Sequence, residues 1–122
     1  MQEQIHNVTT YNGIIGALLR RRREQLGLEQ GTISQKIGLT QSSYSRIESG
    51  KTSLTLAQLS AISPHYSVRP ADFIDQAEQV KMNMKRQGID VVEEPTTKVA
   101  SGVTNILIGA ALLAVVAQLV KK

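Results

Sequence analysis

With 122 residues, no cysteine and only His6 and His65 as imidazoles, the chain has room for one domain with an appendage. Disulfides, thiolate zinc sites and cysteine nucleophiles are excluded. The formal net charge of +4 permits an anionic partner, but Lys and Arg outnumber Asp and Glu only eight to six in residues 1–75 and four to four in 76–98, an excess too mild to decide the partner.

The first ten residues carry no secretory pattern and read as a flexible start. Ile14, Ile15, Leu18, Leu19 and Leu26 then form an imperfect helical stripe, with Gly27 as its stop. Arg20, Arg21, Arg22 and Arg23 sweep around the helix axis and cannot share a face. Arg20 and Glu24 have the i,i+4 spacing of an intrahelical pair. A second helix is expected from Gln30 to Ile37, with Leu28, Ile33 and Ile37 inward and Gly38 ending it.

Thr40 is placed to cap a third helix over Gln41–Glu48, its hydroxyl accepting one of the unpaired amides. On that helix only Tyr44 and Ile47 suit burial. Gln41, Ser42, Ser45 and Arg46 occupy the other face, with Ser43 at its edge. Neighbouring elements must hold such a helix in place. Amides, hydroxyls and a guanidinium can pair with base edges or phosphates in a DNA major groove, but a solvated structural helix fits the same composition.

A fourth helix is expected from Thr55 to Ile62, with Leu54 ahead of it, Leu56, Leu59 and Ile62 inward, and Ser63-Pro64 as its end. Pro70 suits the first turn of a fifth, whose stripe of Phe73, Ala77, Val80 and Met84 extends further than a small bundle needs. No run alternates as a strand does, and Val91-Val92 is too short. The expected fold is therefore all-α.

Catalytic patterns are weak. Asp72 and Asp75 read as acids favoured by a helix N-terminus, Glu93 and Glu94 as linker charges, and His65 as a loop residue. No glycine spacing matches a phosphate-cradling loop. No catalytic residue, metal ligand or cofactor site is expected.

The stretch Leu19 to Ser63, LRRRREQLGLEQGTISQKIGLTQSSYSRIESGKTSLTLAQLSAIS, resembles the helix-turn-helix domain of the Cro/CI-type regulators, the XRE family. The likeness lies in the chained pattern: Arg and Glu in a first helix, a GL turn, an early Gln in the second, a GLTQ turn, then SRIESGK and LxxLxxI. It implies a five-helix, lambda-repressor-like DNA-binding domain over 11–75; composition adds a helix extension and linker at 76–98 and a C-terminal apolar helix at 99–120.

The resemblance also implies roles. Gln30 would bond a phosphate, and Gln41, Ser42, Ser43, Ser45 and Arg46 would supply base and backbone contacts. Lys51 would meet the DNA backbone after a turn at Gly50. Glu48 would be structural and pair with Arg20, and Ser34 would replace the usual alanine packed between the second and third helices. Glu29 and Arg69 depart from the family's small capping residues. The implied function is sequence-specific transcription regulation, as a repressor binding double-stranded DNA at an inverted-repeat operator as a homodimer or higher oligomer. Val80 and Met84 are candidates for the pairing surface. The alternatives are an antitoxin-type autorepressor, with 70–98 capturing a toxin, and a membrane-associated protein-interaction module.

Val99 to Val120 contains no charge over 22 residues, a helical length of about 33 Å against a bilayer core of roughly 30 Å. It reads either as an anchor of a cytoplasmic DNA-binding domain in the bacterial inner membrane or as a buried oligomerisation helix. Its alanines, Thr104, Asn105 and Gln118 weaken the first reading, as does the placement of Lys121 and Lys122.

Overall fold

The computed structural model describes residues 6–93 and 104–120. In chain order the elements are β1 (His6–Thr10), α1 (Tyr11–Gln25), α2 (Gln30–Lys36), α3 (Gln41–Glu48), α4 (Leu56–Tyr66), α5 (Pro70–Arg86), β2 (Asp90–Val92), β3 (Thr104–Ile106) and α6 (Gly109–Leu119). The five expected helices are present. The chain is mostly helical, with a small parallel sheet of order β2-β1-β3 added to the helical domain.

That sheet revises the reading of both ends. The expected flexible start is the central strand β1, with Val8, Thr9 and Thr10 buried. Strand β2 lies within the expected linker, and its register sets Val8 beside Asp90 and Thr10 beside Val92. A three-residue strand has too little alternation to be read locally. It is held because the exposed edge of β1 needs a partner for its amides and carbonyls. β1 runs directly into α1, where Thr10 caps the helix by accepting the Gly13 amide at 2.9 Å.

The apolar segment is not one long helix. Thr104–Ile106 pairs with β1, and α6 has 11 residues, about 16 Å of rise. Among the described residues no helix is long and apolar enough to cross a membrane. Leu112 and Val116 of α6 are fully buried in the chain's own core, so the apolar side of this helix already has its cover. The small side chains of Ala110, Ala111, Ala114 and Ala117 lie on its exposed side. Residues 94–103 of the expected linker and apolar segment lie outside the described residues.

Three further expectations change. Pro64 does not end α4, which continues to Tyr66. The continuation buries the Tyr66 ring completely, and the turn closes with Ser67 in the left-handed region at φ 52°. Leu56, expected inward, is 77% exposed at the first position of α4, while Leu59 and Ile62 are buried. The α5 stripe of Phe73, Ala77, Val80 and Met84 is buried within the single chain. Once β2 and α6 pack beside it, Val80 and Met84 are not available as a pairing surface.

The C-terminal helix thus behaves as part of the core. Leu112→Ala is expected to lower the unfolding free energy by about 2–5 kcal/mol in a urea titration. A tail that merely followed the domain would leave the midpoint unchanged.

Candidate nucleic-acid interface

Helix α3 is placed from three sides. At its start Thr40 is extended (φ −72°, ψ 157°) and its hydroxyl accepts the Ser43 amide at 3.1 Å. On its inner face Tyr44 and Ile47 are buried in the core. At its end the backbone lies directly on α1: a Cβ on Gly16 would fall 2.4 Å from the carbonyl oxygens of both Ile47 and Glu48. Only glycine permits that approach. Gly50 turns the chain away from α3 at φ 78°, where a side chain would also meet Gly13.

The Glu48 carboxylate is the polar centre beneath α3. Arg23 Nε donates to Oε2 at 2.7 Å and a terminal nitrogen donates to Oε1 at 3.1 Å, a two-pronged pair with side chains 12% and 2% exposed. Gln30 Nε2 donates to the same Oε1 at 2.8 Å. Helices α1, α2 and α3 therefore meet on one carboxylate. The carboxylate also holds the Arg23 guanidinium above its ordinary range, chiefly through the hydrogen bond.

This corrects the expected Arg20–Glu48 bridge. Arg20 pairs with Glu24 at 3.3 Å on the surface, and Arg23 takes Glu48. The sequence did hold a signal: Arg23 stands seven residues, nearly two full turns, after Gly16 and so returns close to the line along which α1 touches α3. The neighbouring arginines are also engaged within the chain, Arg21 donating to the Val120 carbonyl at 3.0 Å and Arg22 to the Tyr66 carbonyl at 2.8 Å. Both close carbonyls at or just beyond a helix C-terminus.

Tyr66 is a residue the sequence reading passed over. Its hydroxyl meets that of Tyr44 at 2.6 Å inside the core. Burial raises the Tyr66 phenol to about 12. Tyr44 is raised further, first by burial and then by the Glu48 charge.

The expected contact residues fall into two groups. Gln41, Ser42, Ser43, Arg46 and Lys51 are exposed and Ser45 is half-buried. Ser43 and Ser42 hydroxyls lie 2.9 and 3.3 Å from Thr40 Oγ1. No side-chain hydrogen bond or ion pair engages Gln41, Arg46 or Lys51 among the described residues. Gln30 differs: one of its amide N–H groups is committed to Glu48, which leaves the second for any outside acceptor. Ser34 is buried and satisfied by the Gly31 carbonyl at 3.0 Å. Neither Glu29 nor Arg69 makes a side-chain cap. Among the described residues no acidic or histidine cluster could hold a metal ion.

Residues 19–73 match the family model described as Helix-turn-helix. The match covers the same stretch that resembles the Cro/CI-type helix-turn-helix regulators in sequence. Two crystal structures of the clp gene regulator ClgR from Corynebacterium glutamicum share its fold. One has a TM-score of 0.59 at 18% identity, with 63% of this chain and 82% of that chain covered. The other has a TM-score of 0.52 at 19% identity, covering 56% and 88%. No curated protein matches the sequence. Within the matched segment α2 and α3 form the helix-turn-helix, and α1 and α4 support it.

Two outcomes test the support beneath this helix-turn-helix. Arg23→Ala leaves Glu48 buried and unpaired and is expected to cost on the order of 3 kcal/mol. Arg20→Ala, which removes only a surface pair, is expected to cost less than about 1 kcal/mol. Urea titrations of both variants decide between Arg23 and Arg20 as the Glu48 partner.

The second outcome concerns alkali. Because the folded state raises the Tyr66 phenol from 10.0 to about 12, the stability linked to its neutral form is fully present below pH 10. It is lost as the pH rises from about 10 through 12. A pH titration following tyrosinate absorbance and circular dichroism together should show ionisation of the buried pair coinciding with loss of helix. The double variant Tyr44→Phe/Tyr66→Phe should shift that transition upward.

Proposed function

We propose that α3 enters the DNA major groove and reads an operator, with the protein acting as a repressor whose occupancy blocks polymerase. The observation that carries this reading is the division of α3 into two faces. Tyr44, Ile47 and Glu48 are buried, while Gln41 and Arg46 stand exposed with their donors unengaged. Gln can bond adenine at two positions and Arg guanine at two, and the serines permit close approach to bases or phosphates. Lys51, one turn beyond the helix, suits a phosphate as a point charge. Gln30 adds a phosphate contact through its second amide N–H.

A homodimer on an inverted repeat would place two reading helices about one DNA turn apart, roughly 34 Å, and double the phosphate contacts. Operator binding assigns the domain to the cytoplasm.

The double variant Gln41→Ala/Arg46→Ala is expected to lose selection of specific DNA while its helicity and unfolding midpoint stay within about 0.5 kcal/mol of the parent, as surface changes do. Lys51→Ala should weaken all sequences alike and lower the salt slope by about one. Sequencing of DNA selected from a random pool by the full chain measures the first effect. Unchanged selection by the double variant would remove α3 as the reading helix.

A further inference from the structure

The consecutive arginines of α1 divide by what they meet. Arg20 pairs with Glu24, and Arg23 with Glu48. Arg21 and Arg22 have no carboxylate partner among the described residues. Both line one cavity of about 320 Å³, formed where α1 meets α5, the turn after α4 and the end of α6. Its apolar lining is Leu18 and Phe73, each 2% exposed, with half-buried Val68 and Val120. No acidic side chain is among its described lining residues.

Both guanidiniums are held in place without being saturated. Arg21 donates through a terminal nitrogen to the Val120 carbonyl at 3.0 Å. Arg22 donates through Nε to the Tyr66 carbonyl at 2.8 Å and through a terminal nitrogen to the Gln25 side chain at 3.5 Å. A guanidinium carries more N–H groups than these bonds use, so each arginine keeps donors free. A cleft lined by one sign of charge and by apolar walls concentrates its field on an opposite charge. The planar fork of arginine favours a carboxylate, which it can meet at two points. The volume lies at the lower end of the range for small-molecule sites, roughly 300–1,000 Å³, which suits a short ligand and not a folded partner.

We propose that this cavity binds a small amphipathic carboxylate, with its charged end at Arg21 and Arg22 and its apolar chain against Leu18, Val68 and Phe73. The apolar walls discriminate against a strongly hydrated inorganic ion, and the two unneutralised arginines discriminate against a neutral alcohol. Because Arg21 also holds the Val120 carbonyl, an occupied site would tie α1 and α5 to the end of α6. Helix α3 contributes nothing to the lining, so the inference stands independently of the DNA reading.

The test is isothermal titration calorimetry of the full chain with octanoate, with no DNA present. Octanoate is expected to bind about tenfold or more tightly than acetate, inorganic phosphate or octanol, since buried methylenes and a charge-assisted hydrogen bond each contribute at that scale. Acetate or phosphate binding as tightly as octanoate would show that the apolar lining plays no part, and octanol doing so would show that the arginines play none. Either result overturns the proposal. The double variant Arg21→Gln/Arg22→Gln should weaken octanoate by about tenfold for each guanidinium lost. If that variant loses its fold, Gln76→Glu supplies the decision. Gln76 is half-buried in the same lining, and the change sets a carboxylate of nearly the same shape beside the guanidiniums, where it competes with the ligand while the backbone bonds of both arginines stay. It should weaken octanoate by about tenfold with an unchanged urea midpoint. Unchanged octanoate affinity in the folded variants overturns the proposal, as does an intact chain that takes up no octanoate, whether residues 121–122 or nothing at all fill the cavity.

Discussion

The placement of α3 depends on one buried carboxylate. Glu48 sits at the end of α3, nearly removed from water, and an unpaired charge there would be costly. Arg23 from α1 and Gln30 from α2 supply the donors. Each comes from a different helix, so the carboxylate is satisfied only when all three helices are in register. A buried ion pair of this kind contributes more to geometry than to net stability, because desolvation offsets much of the attraction. Apolar packing supplies the cohesion, through Tyr44, Ile47 and the α1 stripe. The polar contacts select which of the possible packings is adopted.

Gly16 makes the same constraint visible in the backbone. Its missing side chain lets α1 touch the carbonyls of Ile47 and Glu48, and that close approach brings Arg23 within reach of the carboxylate. With α3 held at its cap, its core face and its C-terminal end, the remaining face needs no intramolecular partner. Exposed donors on Gln41 and Arg46 are satisfied by water in solution, and in the proposed complex base edges would replace that water. Rigidity beneath and freedom above are two results of one arrangement.

The ends of the chain complete a domain that the helix-turn-helix segment alone would leave open. β1 lies between β2 and β3, and α6 covers α1 with Leu112 and Val116. Small domains bury a low fraction of their surface, so a short strand and an 11-residue helix add materially to the core. The segment that looked most like a separate module is thereby drawn into the first one. Its lack of charge reflects burial on one side and an alanine surface on the other.

Local chemistry in the sequence determined the helices, the Thr40 cap, the glycine turns and the inward places of Tyr44, Ile47, Leu59 and Ile62, because caps and 3.6-residue periodicity act within a few residues. The chained motif from Leu19 to Ser63 also carried the likeness to helix-turn-helix domains. Tertiary structure alone decided which of four adjacent arginines meets Glu48, since the choice turns on how closely α1 approaches α3. It likewise decided that α4 runs through Pro64, because the burial of Tyr66 against Tyr44 offsets one missing backbone bond. Above all it decided the fate of the apolar end. An uncharged run looks the same whether lipid, a partner or the chain's own core will cover it, and only the strand and helix partners brought from the far end of the chain distinguish them.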